Sequence, residues 1–412
     1  MRWLRVLYLW NGLVIGAMYG FVPVLLQSKG FAPALIGVTC SLGSVAYTLV
    51  LPIWGHVGDV VTGPRRALQI ACVPAAIAGL MYGQPLPVIA IVLCQVLMNL
   101  GGGPLMALTD AMAMPILANA TREYTRLRLI LSFGAGGGGI VFGLLYGVVG
   151  YGAAPYIYVA IIVSMIVFAQ LVPLGRDSER HRRTSAQREG RAHVEGSHGR
   201  FGSVGEAFRI QPRLVAILLA VTCGFIGIMA ATTFVSLRIA DLGGGAAEVG
   251  MVNGLGSGAE VPGLVIAGFL VARFGARSVL MASSLGFAIC LLSWVFLVDT
   301  APILITRFIS GIFFSGVLVS YVLTIARMLP AGLQSTGQTL LQACCYGGGA
   351  ILANFLGGIL YGTMGPIGVF GGGAICALLG GVIGYFALPD LRNSGQGVHI
   401  DKLPAVAVAP LP

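Results

Sequence analysis

Long apolar runs alternate with short polar loops along most of the chain. About a dozen runs have about 18 to 25 residues each, enough for a helix to cross a hydrocarbon core of roughly 30 Å. The pattern predicts an all-α membrane protein. Its twelve spans are expected near residues 6–27, 35–55, 67–83, 87–112, 129–150, 155–174, 213–237, 248–272, 277–298, 302–326, 337–361 and 366–388.

Composition excludes a soluble enzyme. Of the 412 residues, 57% are hydrophobic and only 9% are charged, and the mean hydropathy is +0.92. A soluble domain carries roughly a quarter charged residues. The 62 glycines agree with closely packed membrane helices, whose contacts favour small residues.

The 24 basic residues are distributed unevenly between the two sets of loops. Nearly all lie in alternate loops that start with the N-terminus, and only Lys29, Arg238 and Arg307 fall on the opposite side. By the positive-inside rule, both termini and the long central loop are cytoplasmic. The net charge of +10 therefore indicates membrane topology and the lipid bilayer as a partner, and we expect no binding of nucleic acid.

A charge-dense segment separates two apolar blocks. We predict an N-terminal six-helix bundle over 1–174, a cytoplasmic Arg-rich linker over 175–212, a C-terminal six-helix bundle over 213–390 and a cytoplasmic tail over 391–412. Since the linker is rich in Arg, Ser, Gly and His, we expect it to be flexible.

Two short motifs occur in both blocks and in the same order. The sequence Gly-Leu-Leu-Tyr-Gly at 143–147 matches Gly-Ile-Leu-Tyr-Gly at 358–362, and the stretch that follows Gly55 resembles the one that follows Gly268. Chance similarity in a glycine-rich chain is an alternative for either motif alone. Their nearly equal spacing favours a duplication of six spans.

The loop between the second and third spans resembles the signature of the major facilitator superfamily, G-x-x-x-D-(R/K)-x-G-R-(R/K). Gly55, Asp59, Gly63, Arg65 and Arg66 match it, with one extra residue and Val60 where a base is usual. Within that superfamily the chain is most similar to the branch of phenylpropionate permease and galactoside permease. The similarity is carried by 23–30, 104–111, 124–128, 260–262 and 337–338.

This resemblance implies two six-helix bundles, alternating access and secondary transport of a small organic solute. It further implies proton-coupled uptake by a monomer in the inner (plasma) membrane, with the proton gradient in place of a cofactor. Drug or metabolite efflux by proton antiport is the alternative. The drug-antiporter patterns are missing, because Leu97 stands where they carry an arginine and the glycine run 134–139 lacks their proline. A sensor or assembly factor on the same fold is a third class.

Asp110 in the fourth span and Arg128 in the fifth lie equally far from the turn around Asn119. In an antiparallel helix pair, residues equidistant from the turn share one depth, so these charges can form an ion pair. The galactoside permease branch carries a carboxylate and an arginine at what look like these positions, where they bind sugar. We predict that the pair binds substrate, and the alternative is a staple between two helices. Asn253 and Gln338 are predicted as further substrate contacts, although polar residues also hold membrane helices together.

Glu260 lies near the middle of the eighth span, where an ionisable group is costly and marks function. We predict that it takes up and releases the coupling proton, and the alternative is a structural acid beside Pro262. Arg307 could orient an anionic substrate, pair with Glu260, or extend to the outer interface. Relatives in this branch carry a histidine in the tenth span, which this chain lacks. Coupling through Asp110 and the absence of coupling therefore remain open.

The residues of the loop signature are predicted to form a cytoplasmic gate, because an acid at a helix end can bind a neighbouring helix terminus in one state and release it in another. The predicted gate comprises Gly55, Asp59, Arg65 and Arg66, with Arg273 and Arg277 in the second copy. Ala272 replaces the acid there, so the gate is expected to be asymmetric. A solvated turn is the alternative.

Overall fold

The computed structural model describes residues 1–114, 116–117, 120–173, 199–330 and 333–389, with the backbone alone at 120–122, 125, 199–204 and 335. The first half contains α1 (Arg2–Ala17), α2 (Val22–Ser28), α3 (Pro33–His56), α4 (Pro64–Tyr82), α5 (Val88–Gly102), α6 (Leu105–Ala113), α7 (Ala120–Val149) and α8 (Ala154–Leu171). The second half contains α9 (Gly199–Ile210), α10 (Arg213–Asp241), α11 (Ala246–Phe274), α12 (Ala276–Phe296), α13 (Thr300–Met328), α14 (Gln334–Gln342), α15 (Ala350–Pro366) and α16 (Gly372–Ala387).

Ten helical segments of the described chain are long and apolar enough to cross a membrane. One of them, Thr336–Ala387, has 52 residues. A straight helix of that length would measure about 78 Å, more than twice the hydrocarbon thickness. The chain instead bends at Gly365, whose φ is 63°. Helix α4, with 19 residues, is not among the ten. The count of twelve spans stays a prediction.

Interruptions of the helices occur at specific points. Helix α1 ends at Ala17 and a 3-10 turn, Tyr19–Phe21, joins it to α2. A π-helical segment, Ala343–Gly349, separates α14 from α15. Helical segments of this wider form are uncommon and concentrate at functional sites. Both interruptions become important at the site.

The end of the predicted linker is helical, which corrects the expectation of flexibility for that part. Helix α9, Gly199–Ile210, packs against α10 and α14, with Ala207 fully buried. Residues 174–198 of the linker and the predicted tail lie outside the described residues.

The backbone repeats its turns between the two halves. Gly63 and Gly275 have φ values of 82° and 84° and directly precede the helices α4 and α12. Gly30 and Gly243, at 84° and 80°, end the preceding helical segments. Such left-handed conformations favour glycine because it has no Cβ. Matching turns at nearly constant spacing agree with a duplicated six-span unit.

The two halves contact each other chiefly near the end of the bundle where α3 and α11 begin. On α3 and α15, a Cβ added to Gly37 would lie 2.6 Å from the Cα of Gly358. On α7 and α11, a Cβ added to Gly143 would lie 2.7 Å from the Cα of Gly250. Glycine at these crossings lets the helices approach to backbone contact, as is common for membrane helices.

Candidate functional site

The carboxylate of Asp110 is the centre of a polar cluster in the first half. Arg128 on α7 donates from Nη2 to its Oδ2 at 2.8 Å, which forms an ion pair. Tyr124 donates to Oδ2 at 3.2 Å and Tyr8 of α1 donates to Oδ1. The predicted partners therefore lie together, and two tyrosines join them.

A second set of contacts orients the guanidinium of Arg128. Its Nε donates to the Tyr124 hydroxyl at 2.8 Å, and its Cζ lies 5.1 Å from the centre of the Tyr124 ring. The side chain of Asp110 is 20% exposed and that of Arg128 is 9% exposed. Hydrogen bonds thus hold both members of the pair, and Asp110 is still partly exposed.

Glu260 lies at the midpoint of α11 and is buried, with 5% of its surface exposed. Arg307 of α13 is equally buried, with its guanidinium against Gly256, one turn from Glu260. A Cβ at Gly256 would come within 2.6 Å of the Arg307 Cζ, so glycine makes room for the cation. Arg307 therefore lies inside the second half and does not extend to an interface.

The two charges of this second cluster act on each other without direct contact. Glu260 and Arg307 interact electrostatically, but their charged atoms form no ion pair within 4.0 Å in the described part of the chain. Arg307 donates to Ser310 at 3.3 Å, and its Nε is buried without a hydrogen-bond partner among the described residues. Since buried polar groups are nearly always paired, this unpartnered N–H is a donor that a water molecule or a polar ligand group could satisfy.

Tyr346 of the second half is a buried residue that was not foreseen from the sequence. It belongs to the π-helical segment Ala343–Gly349, and its ring packs edge-on against Phe225 with centroids 5.9 Å apart. Within the described structure its hydroxyl is buried and has no hydrogen-bond partner.

Asn253 and Gln338 donate hydrogen bonds to groups of the protein itself. The Asn253 amide donates to the Gly20 carbonyl of the first half at 3.1 Å and to Ser236 at 2.9 Å. The Gln338 amide donates to the Val322 carbonyl at 3.0 Å, while its Oε1 is buried without a partner in the described chain. Asn253 thus connects the two halves, and the predicted roles of Asn253 and Gln338 at the substrate stay predictions.

The residues of the predicted gate lie at the opposite end from the contacts between the halves. Arg65 donates to the Val172 carbonyl and Arg277 donates to the Leu388 carbonyl, each within its own half. These equivalent bonds satisfy the carbonyl ends of α8 and α16. Asp59 lies on an exposed π-helical turn, Val57–Val61. The other three gate residues, Gly55, Arg66 and Arg273, are exposed in the described conformation.

The tyrosines of the site carried only a weak signal in the sequence. Tyr8 lies two turns from the N-terminus of a span, and Tyr124 lies one turn before Arg128 on the same helix face. That spacing could have indicated Tyr124. Nothing local in the sequence indicated that Tyr8 reaches Asp110 across 102 positions.

The architecture and the paired charges inside it define a transporter of the secondary type. The MFS_1 like family matches residues 1–371, and the chain therefore belongs to that family of the major facilitator superfamily. Among curated proteins, the maltose permease of Geobacillus stearothermophilus is 24% identical over 387 residues, covering 92% of this chain and 93% of the permease.

Solved structures of transporters share the fold. The nucleoside transporter NupG superimposes with a TM-score of 0.77 at 15% identity, over 93% of this chain and 97% of NupG. A D-xylose–proton symporter superimposes with a TM-score of 0.69 at 14% identity, over 95% of this chain and 97% of the symporter. The expected major facilitator fold and a role in secondary transport are confirmed.

Proposed function

We propose that the protein takes up a small, neutral, hydroxylated solute of the sugar or nucleoside type together with a proton. The observation that carries the proposal is the Asp110–Arg128 ion pair at 2.8 Å, to whose carboxylate Tyr8 and Tyr124 also donate. The second half contributes the buried Glu260. One cluster offers hydrogen bonds to the solute. The other offers a carboxylate that can be protonated reversibly.

The charge balance of the site supports a neutral solute. Asp110 is matched by Arg128, and Glu260 is accompanied by Arg307. An anionic or cationic substrate would leave one charge without compensation in a buried site, which is costly. A neutral polyol can accept from the guanidinium and donate to the carboxylate. The names of the relatives agree, since maltose, nucleosides and D-xylose are all neutral and hydroxylated.

The described conformation supports alternating access. Hydrogen bonds between the halves lie toward the end of the bundle that the charge distribution assigns to the outside, as from Asn253 to Gly20 and from Ser41 to the Ile351 carbonyl at 3.0 Å. We propose that this state is closed to the outside, and that the remaining steps separate these contacts and bring the predicted gate around Asp59 together. Transport then follows from rocking one half against the other.

Twelve spans with both termini in the cytoplasm agree with the charge distribution of the loops. The plasma membrane is the proposed location, and a monomer is the proposed functional unit. The proton gradient is the proposed energy source, and nucleic acid is not expected as a partner.

Uptake of labelled maltose, D-xylose and uridine tests this function in cells that express the protein and in cells that do not. We expect one compound to accumulate and a protonophore to abolish its accumulation. Arg128→Lys should reduce that uptake strongly, because an ammonium cannot replace the planar guanidinium. Arg126→Lys on the exposed face of the same helix is the matched control and should transport normally. Greater resistance to toxic amphiphiles without any uptake would favour efflux and refute the proposal.

A further inference from the structure

The carboxylate of Asp241 joins three helices at the end of the bundle that the loop charges assign to the outside. Asp241 is the last residue of α10 and is exposed. Its Oδ1 accepts a hydrogen bond at 3.1 Å from the Gln27 amide of α2, in the first half, and its Oδ2 accepts one from the Tyr361 hydroxyl of α15. The carboxylate therefore connects the two halves through side chains alone.

The hydrogen bond from Tyr361 fixes the direction of this carboxylate. Tyr361 is buried, with 6% of its surface exposed, and its ring stacks on Phe234 with centroids 5.7 Å apart. Phe370 packs edge-on against the same ring at 6.4 Å. All of these residues belong to the second half, so this hydrogen bond does not depend on the first half. It holds Oδ2 of Asp241 and leaves Oδ1 for the first half.

The helix that carries Tyr361 also lies at a close crossing of the two halves. A Cβ added to Gly358, one turn before Tyr361, would lie 2.6 Å from the Gly37 Cα of α3. The hydrogen bond from Gln27 to Asp241 therefore forms beside this crossing. It exists only while the halves meet there, so it must break before a solute can enter from the outside.

The nearby cations bind other groups and do not neutralise Asp241. Arg238, one turn earlier on α10, donates to two backbone carbonyls of its own half, and Lys29 donates to a backbone carbonyl of the first half at 3.1 Å. Within the described chain, Asp241 forms no ion pair within 4.0 Å. A neutral amide thus bonds to the carboxylate across the halves, and a single exposed hydrogen bond of this kind can break in every transport cycle.

We propose that Gln27 and Asp241 form an outer latch, which keeps the protein closed to the outside until the hydrogen bond between them breaks. This inference rests on the proposed function, because it assigns the two residues to one step of transport. Loosening the latch raises the fraction of protein that is open to the outside. A solute added outside binds that fraction, so its apparent affinity should increase. A hydrogen bond that only supports folding would not increase the affinity when it is lost.

Reversing the two side-chain types tests the outer latch. Gln27→Glu keeps the size of the side chain but places two carboxylates against each other, so the latch should open. Adding Asp241→Asn to this variant restores a hydrogen bond in which donor and acceptor are exchanged. Gln84→Glu is the matched control, because Gln84 is an exposed glutamine that donates to Tyr156 within the first half.

A cysteine at the junction reports the opening. Ser41 on α3 is buried and donates to the Ile351 carbonyl of the second half, so Ser41→Cys should react with an impermeant maleimide from outside only when the halves part. In a chain with its native cysteines replaced, Gln27→Glu should raise this rate about fivefold. The added Asp241→Asn should return the rate to within about twofold of the parent, and Gln84→Glu should leave it unchanged.

Uptake from outside gives the second readout. For whichever of labelled maltose, D-xylose and uridine the parent transports, Gln27→Glu should lower the half-saturation concentration by up to the same factor of about five. A higher half-saturation concentration would overturn the latch. An unchanged maleimide rate in Gln27→Glu, or no recovery on adding Asp241→Asn, would overturn it as well.

The maleimide rate separates the latch from the proposed function, because it needs no solute. If none of the three compounds is transported, the proposed function fails while the rates still decide the latch. Gln27→Ala provides the second variant if Gln27→Glu does not reach the membrane. It removes the hydrogen bond without adding charge and should also react about fivefold faster than its parent, and an equal rate would refute the inference.

Discussion

Asn253 offers the sharpest test of how the two halves separate. Its amide donates at 3.1 Å to the Gly20 carbonyl, which lies in the 3-10 turn after α1. Ser236 donates to the same carbonyl at 3.0 Å. Because the helix is interrupted at this turn, the Gly20 carbonyl is available to donors of the second half. Asn253→Ala removes one of these two hydrogen bonds between the halves.

The size of the effect follows from the hydrogen bond that is lost. A net contribution of about 1 kcal/mol for one neutral hydrogen bond corresponds to a change of about fivefold in the ratio of open to closed states. The substitution should favour the state open to the outside, because the hydrogen bond from Asn253 to Gly20 forms only when the halves meet on the outer side. Asn11→Ala is the matched control. Asn11 is also buried, but it bonds to Leu7 and Thr109 within the first half.

A cysteine reporter at the junction measures the opening. Ser41 on α3 is buried and donates to the Ile351 carbonyl of the second half, so Ser41→Cys should react only when the halves part. In a chain whose native cysteines are replaced, a membrane-impermeant maleimide is added from outside. We expect Asn253→Ala to react about five times faster than its parent and Asn11→Ala to react at the parental rate. Equal rates for Asn253→Ala and its parent would show that the hydrogen bond from Asn253 to Gly20 does not hold the halves together.

Gly37 at the contact between the halves, Tyr8 beside Asp110 and Asp59 in the predicted gate can each be tested by one substitution. Gly37→Val should insert normally but transport far more slowly, because even a Cβ would lie 2.6 Å from the Gly358 Cα; unimpaired uptake would contradict the close crossing. Tyr8→Phe removes a hydrogen-bond donor to Asp110 and should raise the half-saturation concentration for uptake about tenfold. An unchanged half-saturation concentration would show that Tyr8 does not contribute to solute binding. Asp59→Asn should slow turnover without changing equilibrium binding of solute, and unchanged exchange rates would leave Asp59 without a gating role.

The sequence was sufficient for the class of fold and for the charged pair of the first half. The lengths of the apolar runs predicted the helices, because the thickness of the bilayer fixes them. Equal distance from a turn brought Asp110 and Arg128 together, because antiparallel helices match residues by depth. The burial of Glu260 followed from its position in the middle of a span.

Other features depend on local departures from regular helices and could not be predicted. The 3-10 turn at Tyr19–Phe21 makes the Gly20 carbonyl available, so Asn253 bonds to backbone across the halves. The π-helical segment sets the direction of Tyr346, which helical periodicity alone would place differently. Such irregularities are decided by tertiary packing, and no residue in the segment Ala-Cys-Cys-Tyr-Gly-Gly-Gly announces them.

The central claim is that solute and proton move inward together, with Glu260 as the proton site. The most direct measurement follows the external pH of lightly buffered, de-energised cells while maltose, D-xylose or uridine is added. We predict that one compound makes the medium more alkaline in cells with the wild-type protein, and that cells with Glu260→Gln show no such change although they still bind the compound. Uptake of a labelled compound by the wild type with no change in external pH would contradict the account.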